Sequence, residues 1–178
     1  TNPPVPYPWT IATTEPTTGC SILDVTIINP YQAVDFGTQP TGRHYVRGLY
    51  GDALHRGLYI NQCYDVGRVE DVHFWPFFDL DPESPLWVYK REHAIAYILG
   101  RTDGEMMSRC FSFGYSVGMH FIAGPINGLP GEPPMSFESG AGMFSQCYMD
   151  VTPCAIRIEE VMPTAGVSFV NCSLMSGV

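Results

Sequence analysis

One plain pattern, small–apolar–x–apolar, keeps returning along this chain, and its recurrence constrains the fold more than any other feature. It reads "AVDF" (33–36), "GLYI" (57–60), "AIAY" (94–97), "GMHF" (118–121) and "AIRI" (155–158), and Gly177 and Val178 would open a sixth copy. The starts lie 24, 37, 24, 37 and 22 residues apart. Each long interval holds an insertion, "PFFDLDPESPLWVYKRE" (76–92) and "GPINGLPGEPPMSFE" (124–138), so the underlying period is 22 to 24 residues.

A second apolar segment precedes each copy: "VTII" (25–28), "VRGLY" (46–50), "VEDVHFW" (69–75), "MSRCFSF" (107–113), "MFSQCYM" (143–149) and "VSFVNCSL" (167–174). Alternation with period two indicates strands. At least two strands per fixed repeat indicate a solenoid, in which each turn buries its inner face only against the next. The small opening residue fits a tight corner. Aligning the repeats sorts the faces. Val72, Cys110, Cys147 and Cys172 form one inward column, and Phe74, Ser112, Met149 and Leu174 a second. The outward columns are His73, Phe111, Tyr148 and Ser173, then Trp75, Phe113, Asp150 and Met175. On the other wall, Asp35, Tyr59, Ala96, His120 and Arg157 are expected to face out. The fold is therefore read as all-β, a parallel β-helix of about six turns with two loop insertions. A β-sandwich is the main competitor and does not predict such spacing. Leucine-rich repeats share the period but need a leucine-dense consensus that is missing here.

Composition narrows the partners. Of 178 residues 45% are hydrophobic and 15% charged, and the net charge is −9 with one lysine, Lys90. That balance argues against nucleic acid and anionic membrane as partners. No apolar run approaches the roughly 20 residues of a membrane-spanning helix. Residues 1–19 are proline-rich and are read as an N-terminal arm, with "TNPPVPYPWT" as a mature secreted N-terminus or a boundary. Residues 20–178 form the β-helix. It stops inside a coil, so it is expected to continue, to be capped, or to stack on another copy into a homo-oligomer. The six cysteines contain no C-x-x-C pair, so spacing gives no zinc signature. Cys110, Cys147 and Cys172 are read as a buried thiol stack, with a disulfide between turns as the alternative.

"RGLYINQCYDVGRVEDVHFWPFF" (56–78) and "GRTDGEMMSRCFSFGYSVGMHF" (100–121) resemble turns of the pectin-lyase-like superfamily of right-handed parallel β-helix proteins, including pectate-lyase-like and polygalacturonase-related members. The resemblance covers residues 20–178. It implies a right-handed coil and a secreted, extracellular, polysaccharide-directed protein: a glycoside hydrolase, a polysaccharide lyase, or a non-catalytic fibre or tailspike-like protein that binds glycans. The N-T-D, D-D, G-H-G and R-I-K motifs of polygalacturonases and the R-x-P-x-x-R run of pectate lyases are absent, so the resemblance carries no catalytic residue onto this chain.

The residues themselves nominate candidates. Asp103, Asp150 and Glu138 are carboxyl groups for acid–base work, since neighbouring coils about 4.8 Å apart can bring carboxylates within glycosidase range. His120 beside Arg157 is a candidate base for a uronate lyase. Trp75, Phe78, Trp87, Tyr89 and Tyr148 offer ring faces to sugars, and Arg101 and Arg157 offer cationic contacts. Asp79, Asp81 and Glu83 in "DLDPES" nominate a Ca2+ site, although the spacing is not that of an EF-hand. The bland readings are an acidic turn, a surface histidine, and aromatics packing the loop onto the coil.

Overall fold

The computed structural model describes residues 4–77, 79–123 and 140–177. It is a parallel β-helix of three walls. Wall A is one six-stranded parallel sheet of β1 (Ile11–Ala12), β4 (Gln32–Phe36), β7 (Arg56–Ile60), β10 (Ile95–Leu99), β13 (Val117–Phe121) and β16 (Cys154–Ile158). Walls B and C are two halves of a second sheet. Its long strands β3 (Ser21–Ile27) and β6 (Tyr45–Gly51) cross both halves. β8 (Arg68–Glu70), β11 (Glu105–Ser108), β14 (Gly142–Ser145) and β17 (Val167–Val170) continue wall B. β9 (His73–Phe74), β12 (Phe111–Phe113), β15 (Tyr148–Asp150) and β18 (Ser173–Leu174) continue wall C. Short β2 (Thr17–Thr18) pairs with β5 (Thr41–Gly42) at a corner. Residues 11–18 of the proline-rich arm thus already pair with the next coil, through β1 and β2.

The corner between walls B and C is turned by one residue per coil in the left-handed backbone region: Asp24, Gly48, Asp71, Arg109, Gln146 and Asn171, with φ from +52° to +64°. These six lie in register, because Leu23, Arg47 and Glu70, and likewise Ser108, Ser145 and Val170, are stacked partners just before them. Non-glycine residues there cost roughly 1–2 kcal/mol each, which packing must offset. Salt bridges link neighbouring coils along this edge, Arg47 to Asp24 at 3.2 Å and Arg109 to Asp71 at 2.7 Å.

The bore is lined as the columns require. Phe111 pairs with His73 and Tyr148, and Tyr148 with Ser173, which puts the preceding Val72, Cys110, Cys147 and Cys172 in one vertical row. All six cysteines are free thiols. Burial pushes the Cys110 thiol up, while its hydrogen bond brings Cys147 down to about 7. From wall B, Val46, Val69, Met107, Phe144 and Phe169 stack inward. Tyr97 is fully buried, and its hydroxyl donates to the Phe111 carbonyl at 2.8 Å. In the final coil Ile158, Val170, Leu174 and Met175 are exposed.

Two sequence expectations need correction. The wall A unit "AIAY" is shifted by two residues: Tyr97 pairs with Leu58 and Met119, and Ile98 with Tyr59 and His120. Ile98, not Ala96, therefore stands in the outward column with Asp35, Tyr59, His120 and Arg157. Ala94 and Ala96 are both small and both precede an apolar residue, so the pattern fits twice. The first insertion is also more than an acidic turn, because it contains a helix, α1 (Pro85–His93). Ser84 caps it, accepting from the Trp87 amide at 3.1 Å, and Pro85 supplies the fixed φ of a first turn.

Candidate functional site

The outer face of wall C carries a ladder of rings, one per coil. Tyr50, His73, Phe111 and Tyr148 stand in register, with successive ring centroids 6.1, 4.6 and 5.4 Å apart. Tyr50 is 45% exposed and the other three are half-buried. A second column begins with Trp75 and Phe113, 4.7 Å apart, and continues to Asp150, which pairs with Phe113. Parallel pairing forces this order, since equivalent positions of consecutive coils must sit one above the other. The Tyr148 hydroxyl donates to the Met175 sulfur at 3.0 Å, and burial lowers the pKa of His73.

Helix α1 borders that face. Trp87 is 6% exposed and packs on Phe113 at 5.6 Å, so this ring anchors the insertion instead of lying open to a sugar. Asp79 accepts from the Ser84 hydroxyl at 2.5 Å and from the Asp81 amide, and Asp81 accepts from the Glu83 amide at 3.0 Å. These carboxylates organise the entry into α1. Tyr89 points the other way, towards wall A, where its hydroxyl meets His55 Nδ1 at 3.1 Å and the Tyr31 hydroxyl at 3.3 Å. Burial, then the charge of Arg56, brings His55 down to about 4. Beneath the helix, Lys90 forms a buried ion pair with Asp52 and sits 4.6 Å from the Tyr115 ring centre.

On the outer face of wall A, His120 Nε2 meets Glu159 Oε1 at 2.7 Å, and Glu159 also accepts from the Ala123 amide at 3.1 Å. That amide bond, followed by His120, holds the Glu159 carboxyl below its usual range. Arg157 is the register neighbour of His120, as the sequence suggested. Glu159 was not singled out, because it lies just past the strand at a position the repeat leaves unassigned. Arg101 and Asp103 form their own salt bridge at 2.6 Å, with the guanidinium 4.7 Å from the Tyr64 ring centre. Asp103 precedes wall B while Asp150 ends wall C, so the two stand at different corners of the coil. Glu138 and Phe78 lie outside the described residues.

A further cluster sits inside the bore. His44, Gly67 and Glu105 occupy one column, each immediately ahead of the stacked residues Tyr45, Arg68 and Met106. Gly67 has no side chain, and a Cβ there would collide with the His44 ring and the Glu105 carboxylate. His44 Nε2 and Glu105 Oε1 therefore meet across the empty rung at 3.1 Å, although one coil lies between them. Cys63 enters from the adjoining corner, where it bridges Thr41 and Thr102. All three are at most 1% exposed. Burial pushes the imidazole down, but the Glu105 charge and bonds to Cys63 and Glu105 outweigh it and hold His44 at about 10. Among the described residues this is the group whose His, Cys and carboxylate donor atoms gather within 4.8 Å, and it does not include Asp79, Asp81 or Glu83. No local motif marks it; only the register between coils brings residues 44, 63 and 105 together.

The fold and these surfaces define a parallel β-solenoid with a ring-lined outer wall. No family model, curated protein or solved structure matches the chain.

Proposed function

We propose that this protein is a secreted β-helix of pectin-lyase-like type that binds an extended polysaccharide along the outer face of wall C. The observation that supports this reading is the ring ladder Tyr50, His73, Phe111 and Tyr148. One ring per coil, at a rise of about 4.8 Å, gives a glycan chain a stacking partner for successive sugars. The charge of −9 favours a neutral chain over a polyuronate. The guanidinium groups beside the ladder, on Arg47 and Arg109, are already paired with Asp24 and Asp71.

Affinity electrophoresis against plant, algal and bacterial polysaccharides tests the proposal. Wild-type protein is expected to be retarded by a neutral glycan. Phe111→Ala and Tyr148→Ala should each weaken retardation about three- to tenfold, the equivalent of about 0.5–1.5 kcal/mol per ring contact. No retardation by any glycan, or unchanged retardation of both variants, would sink it.

Cleavage is a second reading, favoured by His120, Glu159 and Arg157 on wall A, the wall that both insertions flank in the chain. There the arginine would hold a uronate carboxylate while the histidine–glutamate pair takes the neighbouring proton. Measuring reducing ends and unsaturated products in the same screen separates the two readings.

A further inference from the structure

We propose that His44, Cys63 and Glu105 form a structural site for a zinc-type divalent cation inside the bore of the β-helix. This does not depend on the glycan reading. The three side chains come from three consecutive coils and supply one nitrogen, one sulfur and one carboxylate oxygen, with the donor atoms all within 4.8 Å of one another. Nitrogen and sulfur with a single carboxylate is a donor set that suits Zn2+ better than Ca2+ or Mg2+.

Two orphaned atoms point the same way. Glu105 Oε2 and His44 Nδ1 are both buried and neither has a hydrogen-bond partner. A carboxylate oxygen left bare in a dry core is costly, and a cation on Glu105 removes that cost. Charge also balances: a thiolate and a carboxylate cancel a divalent ion, and the imidazole ligates as the neutral form. Gly67 supplies the space, because any side chain on that rung would fill it. The Cys63 thiol now donates to the Asp65 carbonyl at 2.8 Å. On metal binding the Cys63 thiol proton and the proton of the His44 imidazolium are both released to solvent. A cavity of about 280 Å³ is lined in part by Asp103, Gly104 and Glu105, next to the cluster's carboxylate residue.

The site would add a clamp across three coils to the backbone bridges that already join Thr41, Cys63 and Thr102. Its test uses the intact chain. Protein dialysed against chelator and titrated with Co2+ should bind one ion per chain and develop a thiolate-to-cobalt charge-transfer band. Zn2+ should displace the cobalt and raise the melting temperature. Cys63→Ser should abolish the band and weaken zinc binding at least a hundredfold. Gly67→Ala should do the same by occupying the rung. If the wild-type protein gives no band and its melting temperature ignores Zn2+, the cluster is only an imidazolium–carboxylate pair and the proposal is wrong. That readout needs no variant to fold. A band that survives in folded Cys63→Ser would overturn it equally.

Discussion

Lys90→Met is expected to lower unfolding stability by about 3–5 kcal/mol, the usual cost of removing one member of a buried ion pair. Lys90 is the chain's one lysine and is 1% exposed, and its partner Asp52 is 3% exposed. Burial lowers the ammonium pKa and raises the carboxyl pKa, while each group's charge acts against that on the other. Methionine would fill the stem's volume but leave Asp52 under α1 without its cation. Since domains of this kind hold about 5–15 kcal/mol in all, the loss is a large share of the total. The double variant Lys90→Met/Asp52→Leu should recover most of it, because an apolar pair of similar volume has no desolvation cost to meet. Urea midpoints of the three proteins decide the matter. A single variant within about 1 kcal/mol of wild type would show that the pair contributes little, as exposed pairs do.

Gly57→Ala tests the stacking of wall A. Gly57 stands in the small-residue column, and a Cβ there would collide with the backbone oxygen of Ala96 on the next coil and crowd the Phe74 ring. A backbone atom held in a sheet ladder cannot step aside as a side-chain end can. Overpacked sites lose roughly 1–3 kcal/mol and occasionally more, and this substitution belongs at the upper end. Gly104→Ala is the control, because its Cβ would meet only Val66 Cγ2 at an ordinary 3.7 Å. It should be neutral, or stabilising by up to about 1 kcal/mol through the unfolded chain. Thermal melts of the two variants should diverge. Equal effects would mean that coils do not approach each other at Gly57 as described.

Much of this architecture could be read from the chain, for a physical reason. A solenoid repeats one environment, so a column such as Cys110, Cys147 and Cys172 repeats one kind of side chain. The weak points lie where the environment leaves more than one solution. Ala94 and Ala96 offered two registers, and the buried Tyr97 is accommodated inside because its hydroxyl finds the Phe111 carbonyl. The left-handed corner escaped notice because its signal is interrupted: Asp24, Gly48, Asp71 and Asn171 are residue types that visit this region, while Arg109 and Gln146 are not. Helix α1 was missed in favour of an acidic turn, although Ser84 and Pro85 carry a helix-start signal. The candidate surfaces were half legible. His73, Phe111 and Tyr148 were placed on one outward column, whereas Trp87, picked as a sugar contact, is a packing residue. The bore cluster was beyond reach, since its decisive element is the missing side chain of Gly67.

Both the ring ladder and the bore cluster depend on in-register stacking of consecutive coils, and one measurement reaches it directly. Couplings across hydrogen bonds in the nuclear magnetic resonance spectrum should join the Phe111 amide to the Val72 carbonyl, Tyr148 to Cys110, and Ser173 to Cys147, the bonds found here at 2.8, 2.8 and 2.9 Å. Couplings from those three amides to carbonyls within ten residues of their own strand would instead mean hairpins, and would contradict the coil.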